Sequence, residues 1–201
     1  MTPNTEGLIY VPEIDLHFTE ERILLYKNWQ TTKDTLKDQE MAMPTPFQFR
    51  AFLKHLRDSK EHQELYEDIT EIRDPYRAEW LNARFNERED GMYIISEDAL
   101  IKGKYKDQEI KLGNCLMNDR QISLDEYLDS TTLHGLPPAN IPNGNLNYWC
   151  PRDEVSFAGF IGVSGRAGLS CIRDHNYLDS CRGVFGARKF SEDPTTLNFQ
   201  I

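Results

Sequence analysis

The sequence predicts a single α+β domain in which helices come first and small antiparallel strands last, and three observations carry that expectation. A helical stripe marks the first half, where Phe49, Phe52, Leu53 and Leu56 recur at the spacing that places them on one helix face. Short runs of β-branched and aromatic residues, at 146–149, 155–163, 169–172 and 183–187, crowd the last quarter. No fixed-period repeat or low-complexity linker separates the two, so residues 1–201 read as one domain. A hydrophobic fraction of 39% with 12 glycines in 201 residues is a folded, globular composition.

Taken in order, Leu8, Ile9, Tyr10 and Val11 before Pro12 read as an opening strand. Thr19, Glu20 and Glu21 are expected to start a helix that carries Ile23, Leu24 and Trp29 and fades by Asp38. Thr45 and Pro46 mark a second start, because a hydroxyl can cap the free backbone donors and proline is pre-set for the first helical position. A third stripe, Leu65, Ile69 and Ile72, is stopped at Asp74-Pro75, since the proline ring pushes the preceding residue out of the α region. Residues 80–85 and 92–95 read as a hairpin turning through Asp90-Gly91. Ser123 and Glu126 have the spacing of a capping box for a short helix holding Leu124, Tyr127 and Leu128. A loop rich in Pro, Gly and Asn follows over 134–147.

Composition narrows the function. With 33 acidic against 23 basic residues the formal charge is −10, which disfavours a phosphate backbone as partner, so no nucleic acid is expected. There is no apolar run of the roughly 18 residues a membrane helix needs, and Met1-Thr2-Pro3-Asn4-Thr5-Glu6 lacks the basic and apolar regions of a signal peptide. A cytoplasmic protein without membrane insertion is therefore expected. The four cysteines, Cys115, Cys150, Cys171 and Cys181, are too few and too uneven for a disulfide scaffold, so reduced thiols are expected. Charge is uneven as well: residues 148–189 carry a net +2 and leave −12 elsewhere. Residues 155–187 contain no Lys, Glu, Gln, Met or Trp, although those types make up about a fifth of the chain. Loops and buried strands also avoid Lys and Glu, which accounts for part of the gap.

Known chemical motifs are missing: no Walker loop, dinucleotide fingerprint, nucleophile elbow or paired-His metalloprotease helix occurs. Gly159, Gly162, Gly165 and Gly168 lack the Lys and following helix that cradle phosphate. Cys150, Cys171, Cys181 and His175 could in principle meet at a zinc ion, yet none has Cys-x-x-Cys spacing and buried thiols are the stronger reading, so no metal or cofactor is assigned. His17, His55, His62, His134 and His175 are scattered. Arg73, Arg77 and Arg84 alternate with Glu71, Asp74 and Glu79, the pattern of solvated charge pairs. The run 158–163 says more. Alternation puts Ala158, Phe160 and Gly162 on one side and Gly159, Ile161 and Val163 on the other. If the first set meets the core, the second faces outward; a strand buried on both faces fits the same run.

Met43-Pro44-Thr45 with its Phe-rich helix, the run from Pro75 to Leu81, Tyr148-Trp149-Cys150-Pro151-Arg152, Phe160, Ser164-Gly165, Ala167, Leu169, Cys171 and Asp179-Ser180, ending in Gly183-Val184-Phe185-Gly186-Ala187-Arg188, resemble the variable proteins of diversity-generating retroelements, most closely the archaeal type. The motifs are individually weak and fairly specific in their order. The resemblance implies a C-type lectin fold related to the formylglycine-generating enzymes, with 148–188 as the variable, ligand-binding region of one domain. In that system a reverse transcriptase copies a template with errors at adenines. Asn codons mutated in this way never yield Lys, Glu, Gln, Met or Trp, the types missing from 155–187.

Diversification is tolerable where side chains do not support the core, on fixed strands and loops. The implied ligand-facing residues are Cys150, Arg152, Gly159, Ile161, Val163, Arg166, Gly168, Ser170, Ile172, Arg173, Asn176, Tyr177 and Arg182, with Phe160, Ala167 and Leu169 as scaffold. A single bulge would invert that parity. Arg182 stands where the family pattern has an apolar residue, and Glu154 is a type that mutated Asn codons cannot give. The clustered carboxylate and amide ligands of a lectin calcium site are missing from the C-terminal quarter. The expected function is non-catalytic binding, by a monomer, of a changing ligand whose identity is open and whose class is expected to be protein. The alternative is a copper oxidase of the formylglycine-generating type that uses Cys171 with Cys181 or Cys150.

Overall fold

The computed structural model describes residues 6–71, 77–130, 132–152, 155–163, 166–176 and 182–190. In chain order they form strands β1 (Leu8–Val11) and β2 (Leu16–Thr19), helices α1 (Trp29–Asp38), α2 (Pro46–Asp58) and α3 (Gln63–Thr70), and strands β3 (Ala78–Arg88), β4 (Gly91–Ile101), β5 (Lys104–Lys111) and β6 (Arg120–Ile122). Helix α4 (Leu124–Asp129) and strands β7 (Leu146–Trp149), β8 (Ser156–Val163), β9 (Arg166–Arg173), β10 (Arg182–Gly183) and β11 (Ala187–Arg188) complete them. The class is α+β, more sheet than helix.

Two sheets result. The smaller has the order β1-β2-β11, so the first and last strands of the described chain share it. The larger runs β5-β4-β3-β8-β9-β7-β6, and β10 joins the start of β3 in parallel. Its other neighbours are antiparallel except β7 and β9. Strand β3 is central to this arrangement: it pairs with β8 along one side, at Ala78 to Trp80 and again at Arg84 and Phe85, while its other side is shared by β10 at Ala78 and Glu79 and by β4 at Arg84 to Arg88.

Local chemistry explains the elements that the sequence announced. The Thr45 side chain accepts from the Gln48 amide at 3.3 Å while the Gln48 side chain accepts from the Thr45 amide at 3.0 Å, and Pro46 occupies the first turn of α2. The β3–β4 hairpin turns before Gly91, whose φ of 133° suits glycine. The N-terminal helix departs from expectation. Thr19 ends β2, its amide donating to the Gly186 carbonyl and the Glu20 amide to that of Gly7, so these donors belong to the sheet rather than to a helix start. Helix α1 begins only at Trp29, where the Asn28 side chain accepts from the Thr31 amide at 2.8 Å.

The main core lies where Phe49, Phe52, Leu53 and Leu56 of α2 meet both sheets. A second cluster, Trp29, Leu36, Met43, Trp80, Phe157 and Val184, covers the opposite side of β3 and β8. The long connection before β7 is pinned by the Tyr127 hydroxyl, which donates to the Gly135 carbonyl at 3.0 Å. Gly135 has φ 74°, and a Cβ there would lie 2.1 Å from the Phe47 amide nitrogen, so only glycine fits. No helix among the described residues is long and apolar enough to cross a membrane.

Two tests follow from this packing. Phe160 is buried against Phe49, so Phe160→Ala is expected to cost about 3 kcal/mol or more in denaturant unfolding. His134 is buried with Nδ1 accepting from the Leu136 amide at 3.1 Å, and burial pushes its pKa below the ordinary value. A folded-state pKa below the unfolded one means stability that is full above about pH 6.5 and is lost as pH falls through the folded value. His134→Gln should therefore flatten the decline of the urea midpoint below that pH, leaving the part due to His17 and His55, which burial shifts the same way. An unaltered slope would contradict the assignment.

Candidate functional site

Strands β7, β8 and β9 and the segment after them carry most of the residues expected to face a ligand. On their core side Phe160, Ala167 and Leu169 are buried, as scaffold residues should be, and Cys171 lies beside them. The opposite side is a correction. Ile161 is 1% exposed and Ser170 1%, and Gly159 and Gly168 are buried too, so alternation does not produce a solvent-facing patch here. The cause is a second layer. The Trp149 ring lies across Gly168, where a Cβ would approach its Cζ3 to 2.5 Å, and the cluster of Trp29, Trp80 and Phe157 covers this side of β3 and β8. Cys150 is buried as well, its amide donating to Asp119 at 2.9 Å.

What remains accessible sits at strand ends. Arg166 opens β9 exposed, Ile172 and Arg173 close it half-buried, and Asn176 follows, exposed. The β8–β9 register shifts between the Phe157↔Arg173 and Gly159↔Ser170 pairs, so one extra residue bulges from β9 and re-aims its last residues. Arg152, exposed beyond β7, is held by an ion pair of 2.5 Å to Asp119, the carboxylate that also accepts from Cys150. Ser170 Oγ and Arg173 Nε are buried without a hydrogen-bond partner. Of the other expected residues, Tyr177 lies outside the described residues, as do the side chains of Val163 and Arg182, whose backbones belong to β8 and β10.

The thiols are quiet. Cys115, Cys150 and Cys171 are free and buried, and Cys181 lies outside the described residues. Burial pushes the Cys171 thiol well above its ordinary pKa, Cys150 up to about 11 and Cys115 upward too, which favours the protonated, weakly nucleophilic form of each in the metal-free protein. Among the described residues no group of three or more His, Cys, Asp or Glu side chains could hold a metal ion.

Two features escaped sequence reasoning. Residues 20–28, read as helix, form a loop against the C-terminal region: Ile23 and Val184 exchange backbone hydrogen bonds of 2.9 and 3.0 Å, and the Trp29 amide donates to the His175 carbonyl at 3.3 Å. Glu79 is the other. It does pair with Arg77, at 2.5 Å, but the pair is buried rather than solvated, with Arg22 at 3.7 Å and Asp68 on Arg77 at 3.3 Å. Burial drives the Glu79 carboxyl upward while the two guanidiniums pull it down. Arg84 pairs with Glu97 at 3.6 Å; Arg73 and Asp74 lie outside the described residues. No local pattern distinguishes a buried Arg-x-Glu from an exposed one.

No family model matches the chain, and no curated protein or solved structure matches it either.

The two-layer arrangement has a measurable consequence. Gly168→Ala must displace the Trp149 ring and is expected to cost about 1–3 kcal/mol with a change in tryptophan fluorescence, while Arg166→Ala and Asn176→Ala should stay within about 0.5 kcal/mol of the parent. Equal costs at all three positions would remove the distinction between framework and surface.

Proposed function

We propose that the protein is a non-catalytic binding protein with a C-type lectin fold, whose region 148–188 is diversified by adenine-directed mutagenic retrohoming to recognise changing protein ligands. The supporting observation is a separation of tasks within that region. Its framework residues Phe160, Ala167, Leu169 and Cys171 are buried, while Arg152, Arg166 and Asn176 stand exposed where strands end, so those side chains can change without disturbing the core. The absence of Lys, Glu, Gln, Met and Trp from 155–187 agrees with mutated Asn codons. Arg173 and Tyr177 are the anchors we assign, because both residue types combine contact area with hydrogen bonding. We take the protein to act as a monomer in the cytoplasm.

A copper oxidase would need Cys171 with Cys150 or Cys181 at a site that a substrate can reach, whereas Cys150 and Cys171 are packed into the main core, so binding is the better supported reading. The test is genetic. The DNA beside the coding sequence should hold a second, near-identical copy of the codons for 148–188, differing at template adenines, next to a reverse-transcriptase gene. Flanks without such a copy would overturn diversification.

A further inference from the structure

We propose that the face of β9 turned away from the main core docks an acidic segment of a partner protein, with Trp149 as a constant apolar anchor and Arg166 and Arg173 receiving one carboxylate each. The inference rests on reading 148–188 as the ligand-binding region and names the chemistry of its occupant. In a chain of formal charge −10, every other arginine whose side chain is described reaches a carboxylate, amide or carbonyl oxygen. The side chains of Arg166, exposed, and Arg173, half-buried, meet no acceptor among the described residues. Both belong to β9, and its bulge puts them on one face. Arg166 pairs with Val163 of β8 and Arg173 with Phe157; Val163 and Phe157 are six residues apart and share a face, and cross-strand partners lie on the same side of a sheet. Without the extra residue between Ser170 and Arg173, their separation of seven would set the two guanidiniums on opposite sides. The stem of Arg173 agrees, since its Cγ lies 4.0 Å from a Cβ built on Gly159, which belongs to that face.

Between the two cations stands Trp149. It pairs in register with Ser170, and its half-buried ring lies across Gly168, two residues from Arg166, whereas Trp29 and Trp80 are buried. Tryptophan is a type that mutated Asn codons never yield, so on this reading Trp149 stays constant while the arginine positions vary around it. Charge and spacing name the occupant. Arg173 Nε is buried without an acceptor, and Ser170 Oγ on the same face is buried without a partner. An unpaired donor of a buried guanidinium is costly, and a carboxylate, which a guanidinium can take bidentately, removes that cost. Six residues of strand at about 3.3 Å each put the two cations roughly 20 Å apart. An extended segment spans that distance when two Asp or Glu residues flank an apolar side chain that rests on Trp149. A nucleic acid, with one charge per roughly 1.7 Å of duplex, would instead bring many phosphates to two cations of an acidic protein.

The probe is a set of peptides selected from a random dodecapeptide phage library on the full chain, with affinities measured by fluorescence polarisation. Selected peptides should carry two acidic residues about six positions apart with an apolar residue between them. Arg166→Gln and Arg173→Gln, which keep most of each stem, should each weaken them about tenfold or more at an unchanged thermal midpoint. Binding should shift the tryptophan emission of the parent, and Trp149→Phe should remove that shift. Selection on the chain carrying both Arg166→Glu and Arg173→Glu should return peptides with Lys or Arg in place of the acidic residues. Peptides weakened by Arg152→Ala or Asn176→Ala and not by the Arg166 and Arg173 variants overturn this inference and leave the reading of 148–188 standing. Peptides indifferent to all of these substitutions overturn that reading, and this inference with it. Neutral or basic peptides from the parent chain, displacement of the peptides by a single-stranded oligonucleotide, or a selection that yields no binding peptide overturn the inference as well.

Discussion

Phe18 of β2 stacks on Phe52 of α2 with ring centroids 4.4 Å apart, Phe49 meets Phe160 of β8 at 5.5 Å, and Phe185 meets Phe52 at 5.3 Å. One face of α2 therefore joins the small sheet, the large sheet and the C-terminal segment. Burying each ring contributes roughly 1.5–3 kcal/mol, and aromatic pairs add about 0.5–1.5 kcal/mol more. Against a net folding free energy of about 5–15 kcal/mol, that cluster cannot be opened locally at small cost. The capping of α2 by Thr45 and Gln48 matters for the same reason, because it sets where the helix starts and hence which way Phe49 and Phe52 point.

From this constraint follows the character of the C-terminal region. Strand β8 presents Ala158 and Phe160 to the main core and Phe157 to the cluster around Trp29 and Trp80, so it is covered on both faces. A strand in that position cannot offer its flat face to a partner. On the reading proposed above, variation would be confined to what projects beyond the layers: the start of β9 at Arg166, its bulged end at Ile172 and Arg173, and Asn176 beyond it. On that reading, a rigid framework with changeable ends would lower the ordering cost of binding, because little of the chain would have to be fixed when a ligand arrives.

The elements legible in the sequence were those whose signal is local. Thr45-Pro46 with the Phe49 stripe, Asp90-Gly91 between apolar runs, and Leu8 to Val11 before Pro12 each contain their own cause, and the structure has α2, the β3–β4 hairpin and β1 there. Ser123 likewise opens α4, its side chain accepting from the Glu126 amide. The failures have distant causes. Thr19-Glu20-Glu21 looks like a helix start until the Gly186 carbonyl claims the Thr19 amide. Strand β5 shows no apolar alternation because it is an edge strand, and its Lys104, Lys106, Glu109 and Lys111 are the charges that keep such an edge from pairing further. In the site, Phe160 and Leu169 are buried as expected, but so are Gly159, Ile161, Gly168 and Ser170 beside them, because parity could not foresee what covers the second face, such as Trp149 lying over Gly168.

Glu79 shows why that second layer holds its place. Burying a carboxylate with its guanidinium partners costs desolvation that the pairing roughly offsets, so Arg77 at 2.5 Å and Arg22 at 3.7 Å add little net stability. What the cluster adds is position. Arg22 stands at the root of the 20–28 loop, and Arg77 precedes β3, its carbonyl accepting from the Gly162 amide of β8 at 2.7 Å and its guanidinium resting 5.6 Å from the Phe185 ring centroid. One buried carboxylate thereby ties the loop, the central strand pair and the aromatic cluster into a single register. An apolar residue at Glu79 could fill the same volume, but Arg77 would then be oriented by Asp68 alone, and the tie between Arg22 of the loop and β3 through this carboxylate would be lost, leaving the Ile23–Val184 bridge to hold the loop.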